Sequence, residues 1–148
     1  MGKLIILRGL PGSGKTTWAK DYQSEEGHED VVRVNRDELR AMLHGRRPWD
    51  IVDERLTRQV RDACITTALA QGWTVIADDT NLEAYHISEL EALVQAQGAT
   101  VEVVTLTPSL EECIRRDRHR AISVGEQRIR EMAATSEWDI YASKSEGT

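Results

Sequence analysis

The sequence contains no phenylalanine, three prolines, two cysteines and four lysines. Each shortage excludes something. Cys64 and Cys113 lie in helix-like segments without metal-ligand or redox spacing, which argues against a disulfide framework or a zinc module. They read as small, buried or half-buried fillers in a reducing compartment. No apolar run approaches the roughly 20 residues of a membrane span, and the N-terminus reads as strand plus loop rather than signal peptide. A cytoplasmic protein without a membrane partner is expected. With four lysines, 15 arginines and 25 acidic residues the formal net charge is −6, so no bulk attraction draws nucleic acid to the protein, and any polyanion must be gripped locally. Without phenylalanine, Trp18, Trp73 and Trp138 are expected to serve the core. His28, His44, His86 and His119 show no partner pattern, and none is assigned a metal or catalytic role. No repeat, linker or low-complexity block interrupts the 148 residues, so residues 1–148 are expected to form a single domain.

What is present begins with the run Arg8-Gly-Leu-Pro-Gly-Ser-Gly-Lys-Thr-Thr-Trp18. Gly9, Gly14, Lys15 and Thr16 fill the P-loop pattern G-x-x-x-x-G-K-[ST]. A short apolar strand (3–7) precedes it and a helix-competent run follows, which is the context the motif requires. Glycines let backbone amides converge on an anion, and the helix N-terminus adds its positive dipole end. Gly12, Ser13, Gly14, Lys15, Thr16 and Thr17 are therefore the expected NTP-binding residues. Lys15 would reach the β- and γ-phosphates, and the Thr16 hydroxyl would bind Mg²⁺.

Strand-like runs recur at 3–8, 31–35, 73–78 and 100–106. Helical patterns fill 15–24, 37–44, about 51–71, 84–97, 109–120 and 125–134. Gly72 and Gly98 stand where long helices should stop, and Thr107-Pro108 reads as an N-cap followed by proline at the first helical position. Alternating strands and helices imply parallel βαβ units, hence a doubly wound α/β sheet of about four to five strands with helices on both faces. In such sheets ligands gather at the carboxyl ends of the strands.

Three strand ends carry polar chemistry. After the second comes Asn35-Arg-Asp-Glu-Leu-Arg40. Asp37 there could take the proton of an attacking hydroxyl and Arg40 could hold an anionic acceptor group, or Asp37 could be a helix cap and Arg40 a surface charge. After the third comes Ala77-Asp-Asp-Thr-Asn-Leu-Glu83. Either Asp78 or Asp79 could be the carboxylate at the metal, since successive strand side chains alternate, and Thr80-x-x-Glu83 also fits a capping box. After the fourth, Arg115, Arg116, Arg118 and Arg120 are followed by Arg128 and Arg130. A run of this kind is either a solvated face or an Arg-rich lid at about 115–134 closing over a triphosphate. Arg116 and Arg120 share one helix face, and Arg115 and Arg118 another.

Taken together, GLPGSGKTTWA, NRDELR, DTNL and RRDRHR resemble the phage-type polynucleotide 5′-kinases, P-loop enzymes that phosphorylate 5′-hydroxyl ends of DNA or RNA in nucleic acid repair. The resemblance covers nearly the whole chain. It implies Asp37 as general base and Arg40, Asp79 and Asn81 on the acceptor side, and by the match to the Asp-Thr-Asn motif it picks Asp79 over Asp78 as the site carboxylate. It implies Lys15 and Thr16 on phosphates and metal, and Arg116 and Arg120 on the donor phosphates, with Lys15, Asp37 and Arg120 catalytic. Mg²⁺ and ATP or another NTP are the implied cofactor and donor. The phosphatase domain often fused to this kinase is not expected. The segment 44–54 departs from the family, and Arg46, Arg47 and Trp49 could hold a strand or form an ordinary loop. A kinase of a small acceptor (nucleotide, nucleoside, sugar or antibiotic) on the same scaffold is the alternative, and an acceptor-free nucleotide switch would have no use for Asp37 and Arg40.

Overall fold

In a computed structural model the described residues are 2–45 and 51–136, with 51–53 described by their backbone alone. The segments carrying Arg46, Arg47, Trp49 and Trp138 lie outside them. Four strands, β1 (Lys3–Arg8), β2 (Val31–Val34), β3 (Thr74–Ala77) and β4 (Thr100–Thr105), pair in parallel in the order β2-β3-β1-β4. The register sets Ile5 beside Ile76 and Glu102. Six helices complete the described chain: α1 (Lys15–Ser24), α2 (Arg36–His44), α3 (Ile51–Ala70), α4 (Ala84–Gln97), α5 (Leu110–Arg118) and α6 (Glu126–Thr135).

At the central strands β1 and β3 the sheet is covered on both faces, as their continuous apolar runs require. Most of the edge strand β4 is exposed, Val101 and Val103 included. Alternation sends Leu4, Ile6, Val75 and Ala77 to one side, where they pack on Ile65 and Leu69 of α3 and Leu90 and Val94 of α4. Ile5, Leu7 and Ile76 face the other way onto Ala19, with Trp18 and Tyr22 of α1 against them. A third cluster joins Leu10 and Leu82 to Cys113 and Ile114 of α5 and Ile129 and Ala133 of α6. This cluster seats the Arg-rich helix pair over the end of β1. Because β1 is central and the chain crosses it between β3 and β4, the crevice opens beyond the carboxyl ends of β1 and β3.

Several local expectations need correction. The cap of α5 is Ser109, whose hydroxyl accepts from the Glu112 amide at 3.1 Å, rather than Thr107-Pro108. Glu83, not Thr80, caps α4, and its own amide donates to the His86 ring at 3.3 Å. Asn35 caps α2 by accepting from the Glu38 amide at 2.8 Å, so Asp37 sits inside the first turn. Helix α5 ends at Arg118, which leaves Arg120 in the following turn instead of on the helix. Cys64 is exposed, while Cys113 is buried. Gly98 does stop α4, at φ 66°. Among the described residues no helix is long and apolar enough to cross a membrane.

Candidate active site

A cleft of about 920 Å³ opens at this crevice, with Gly12, Lys15, Thr16 and Thr17 on one wall and Arg36, Asp37, Asp78 and Asp79 on another. Arg116, Arg120 and Arg128 line the third side, together with the apolar Ile122 and Val124.

The P-loop wall is held by close approach. A Cβ on Gly12 (φ +82°) would stand 2.2 Å from the Cys113 carbonyl, so only glycine lets α5 lie against the loop. The Gly9 amide donates to the Thr80 carbonyl at 3.0 Å, tying the loop to the end of β3. Lys15 Nζ folds back on the loop, donating to the Gly9 and Leu10 carbonyls at 3.0 and 2.9 Å and lying 3.4 Å from Ser13 Oγ. Burial pushes its ammonium down from 10.5 to about 8, against the pull of Asp78.

The Thr16 hydroxyl donates to Asp78 Oδ2 at 3.0 Å. That carboxylate is almost fully buried and also accepts from Arg33 Nε at 2.7 Å. Arg33 in turn makes a two-armed pair with Glu38, at 2.8 and 3.0 Å. Two hard oxygen donors, a hydroxyl and a carboxylate, thus stand side by side at the phosphate loop. This suits Mg²⁺, which takes one or two protein oxygens and fills its octahedron with water and substrate phosphate. Among the described residues there is no cluster of three or more metal-ligating side chains that would make a self-sufficient metal site.

Asp79 turns the other way. Its Oδ1 accepts from the Arg36 amide at 2.9 Å, while Oδ2 is buried, 3.8 Å from Arg36 Nε and without a hydrogen bond. Burial pushes its carboxyl up from 3.8 to about 6, against the pull of the Arg36 amide and of Arg36 and Arg61. Asp37 projects from α2 into the cleft with a side chain 80% exposed, and accepts from Arg40 at 2.7 Å. Arg40 itself is not on the cleft wall. Its other nitrogens donate to Glu54 of α3 at 2.9 and 2.5 Å. Glu54 also accepts from Arg36 at 3.1 Å. Asn81 likewise stands off the wall, its buried amide donating to the Leu7 and Asp79 carbonyls at 2.8 and 3.3 Å. With φ 45° it makes the turn after β3.

On the Arg-rich side, Arg116 donates to the Ser13 carbonyl at 3.3 Å and to Glu112 at 2.9 Å. Arg120 lies 3.4 Å from Asp117. Asp117 is buried, and its two oxygens accept from the Val124 and Gly125 amides, both at 2.9 Å. It fixes the loop between α5 and α6. Arg115, Arg118 and Arg130 face outward and pair with Glu112, Glu126 and Glu111.

Sequence reasoning named Lys15, Thr16, Asp37, Arg116 and Arg120, and the structure brings all five to one cleft. It missed Arg33, Glu54 and Asp117, the charged residues that hold the others. Arg33 and Asp117 had signals, a lone arginine inside an apolar strand and a lone aspartate inside an arginine run, and Glu54 had none.

The family described as "AAA domain" matches residues 4–137. A chain of the Pnkp1/Rnl/Hen1 RNA repair complex matches with a TM-score of 0.80 at 26% identity, over 97% of this chain and 46% of that one. The present chain therefore spans less than half of that longer protein. The Mycobacterium tuberculosis APS kinase CysC, in complex with AMPPNP and APS, matches with a TM-score of 0.65 at 22% identity, over 80% of this chain and 69% of that one. A gluconokinase from Sinorhizobium meliloti 1021 gives 0.60 at 21% identity, over 90% and 74%. At those identities the last two speak for the fold alone.

Proposed function

The chain belongs to the AAA domain family and has the P-loop kinase fold, and within that frame we propose that it is a polynucleotide 5′-kinase, moving the γ-phosphate of ATP or another NTP to a 5′-hydroxyl end of DNA or RNA in nucleic acid repair. Residues 1–148 act as one kinase domain, with the lid at about 115–134. One observation carries the reading: a phosphate loop with Lys15 and Thr16, and an exposed carboxylate at Asp37, share a single cleft. A nucleotide-binding switch needs the first and not the second. The choice of acceptor is supported by the likeness of 97% of the chain to part of an RNA repair complex.

The residues divide the reaction among them. Loop amides and Lys15 hold the triphosphate, Lys15 exchanging loop carbonyls for phosphate oxygens. Thr16 and Asp78 would hold Mg²⁺, which when bound would supply charge neutralisation for the phosphates. Asp37 accepts the proton of the 5′-hydroxyl. That oxygen forms the new bond to the γ-phosphorus as the bond to the β–γ bridging oxygen breaks, and the nucleoside diphosphate leaves with the electron pair. Arg116 and Arg120 balance the charge that develops on the phosphoryl oxygens. Arg40 and Asp79, on the acceptor side, orient the hydroxyl-bearing end.

A second reading, a kinase of a small acceptor, is favoured by the state of Arg40. Its nitrogens rest on Glu54 and Asp37 instead of facing the cleft, as suits an acceptor with no flanking phosphate. Labelled ATP and Mg²⁺ offered with 5′-hydroxyl oligonucleotides, nucleosides, mononucleotides and sugars decides between them. The polynucleotide reading expects oligonucleotides to be the preferred acceptors. Strong preference for a nucleoside or a sugar overturns it.

A further inference from the structure

In this acidic protein arginine is almost always neutralised on the spot. Among the described residues, Arg33, Arg36, Arg40 and Arg61 pair with carboxylates around the cleft. The six lid arginines do the same, down to the outward-facing Arg115, Arg118 and Arg130. Arg8 is buried against the Leu82 carbonyl. Two arginines break the pattern. Arg55 and Arg58, both exposed on α3, make no ion pair among the described residues.

Their position gives this a direction. Glu54, the residue before Arg55, accepts from both Arg36 and Arg40, and Arg40 reaches Asp37. The start of α3 therefore lies directly behind the acceptor end of the cleft. Arg58 follows Glu54 by four residues, so it projects from nearly the same side of the helix about one 5.4 Å turn further out. Arg55 and Arg58 are three apart and are neighbours on one exposed face. Leu56 beside them is also exposed, as is Met42 on α2, the helix packed against α3. Two exposed guanidinium groups with the exposed Leu56 between them in the chain, leading away from the reacting carboxylate, form a short track of charge and contact surface.

We propose that Arg55 and Arg58 bind the backbone phosphates of a single-stranded acceptor a few nucleotides beyond its reacting 5′ end. This rests on the polynucleotide reading of the cleft and adds to it where the strand leaves. Charge complementarity selects the occupant. The cleft itself already supplies arginines for the donor phosphates, and a small acceptor held at Asp37 carries no further backbone phosphates for Arg55 and Arg58 to hold. Guanidinium groups grip phosphate bidentately. Because the protein carries net −6, such local cations are the means by which it can hold a polyanion at all.

The experiment compares wild type with the double variant Arg55→Ala/Arg58→Ala, using a 5′-hydroxyl dinucleotide and a 5′-hydroxyl dodecamer as acceptors. Binding of the dodecamer is followed by fluorescence anisotropy over a range of salt. Loss of two phosphate contacts on a single strand is expected to make the slope of log K against log salt shallower by about 1.4. KM for the dodecamer is expected to rise relative to KM for the dinucleotide, with the effect on KM and not on kcat. Arg58→Glu, which reverses the charge, is expected to weaken dodecamer binding beyond Arg58→Ala. If wild type phosphorylates the dodecamer while salt slope and KM ratio are unchanged in the variant, the track is overturned and the polynucleotide reading stands. If wild type phosphorylates neither oligonucleotide, the polynucleotide reading itself falls, and the track as an acceptor site falls with it.

Discussion

The Thr16 hydroxyl and the Asp78 carboxylate meet at 3.0 Å, joining the helix after the phosphate loop to the end of β3. Asp78 is held there by Arg33 at 2.7 Å, so its charge stands at a fixed point beside the phosphates. Asp78→Asn keeps the shape and removes that charge. The Mg²⁺ concentration needed for half-maximal turnover is expected to rise about tenfold or more, in the range seen when residues that orient metal ligands are lost. Metal-free nucleotide binding is expected to hold or tighten, because a negative charge near the phosphates has gone. A Mg²⁺ titration of turnover checks the first point, and calorimetry in EDTA the second. An unchanged titration curve would remove Asp78 from the metal site.

The same pair marks how far the sequence could be read. Strand and helix positions were legible because the central strands β1 and β3, buried on both faces, are nearly pure apolar runs, because the more exposed β2 and β4 are rich in valine, and because glycines stop helices in identifiable ways. The phosphate loop was legible because its spacing admits few alternatives. Which of Asp78 and Asp79 faces Thr16 was not: the motif resemblance picks Asp79, and the structure puts Asp78 there instead. The alternation of side chains says that they diverge, and only the placement of β2 beside β3, with Arg33 on it, says which way each goes. Glu54 was illegible for a similar reason: its partners Arg36 and Arg40 lie on another helix. Caps were misread by a residue or more where several adjacent groups could have capped, as at Thr107, Pro108 and Ser109.

Lys15 should make nucleotide binding pH-dependent. Burial leaves it at about 8 in the free protein, below the usual 10.5. Bound triphosphate favours the ammonium, so binding takes up a proton between about pH 8 and pH 10, and affinity falls as pH rises through that window. Calorimetry in buffers of different ionisation heat is expected to show an uptake approaching one proton near the middle of that window. Lys15→Ala should lose both the uptake and phosphoryl transfer. Nucleotide affinity that stays flat across the window would contradict this assignment.

Asp79 is expected to cost stability at neutral pH. Its folded value of about 6 lies above the ordinary 3.8, so the folded state holds a proton that the unfolded chain releases. Stability therefore declines as pH rises from about 4 to 6 and stays lower above it, by a cost on the order of 2–3 kcal/mol. Asp79→Asn, neutral throughout, should raise Tm at pH 7.5 and flatten the decline, while Glu54 still balances Arg36 at 3.1 Å. If Asp79 serves the acceptor as proposed, the same variant should lose activity. A lower Tm at pH 7.5 would show that Asp79 is instead a net stabilising partner of Arg36.

Arg120 and Arg118 are two residues apart and face different surroundings. Arg120 lines the cleft, and Arg118 pairs with Glu126 outside it. Arg120→Ala is expected to lower kcat by about 10³-fold, as for other arginines that stabilise a phosphoryl transition state. Arg118→Ala should change it only slightly, because exposed ion pairs contribute little. Asp117→Ala frees the Val124 and Gly125 amides and should reproduce part of the Arg120 loss by loosening the loop. Single-turnover rates at saturating nucleotide make the comparison. Equal losses from Arg118→Ala and Arg120→Ala would mean that the lid arginines act as undifferentiated surface charge.

Asp37 and Arg40 decide what the phosphate loop serves. The Asp37 carboxylate is the most exposed acidic group on the acceptor side of the cleft, and Arg40 holds it at 2.7 Å while leaning on Glu54. Asp37→Asn preserves shape and the contact to Arg40 but cannot take a proton, so kcat should fall by roughly 10²- to 10⁴-fold. Nucleotide binding should survive, because Lys15, Thr16 and the loop amides are untouched. Arg40→Ala should act differently. It leaves Glu54 with Arg36 alone and removes the cation nearest the reacting carboxylate, so acceptors with a phosphate next to the reacting nucleoside should lose most. A plain nucleoside should lose less. Transfer to a 5′-hydroxyl oligonucleotide and to a nucleoside, measured with each variant, separates the roles. A loss that falls equally on both acceptors in Arg40→Ala would make Arg40 a support for Asp37 and not a phosphate ligand. Transfer that survives Asp37→Asn undiminished would remove Asp37 as the base, and with it the observation on which the kinase assignment rests.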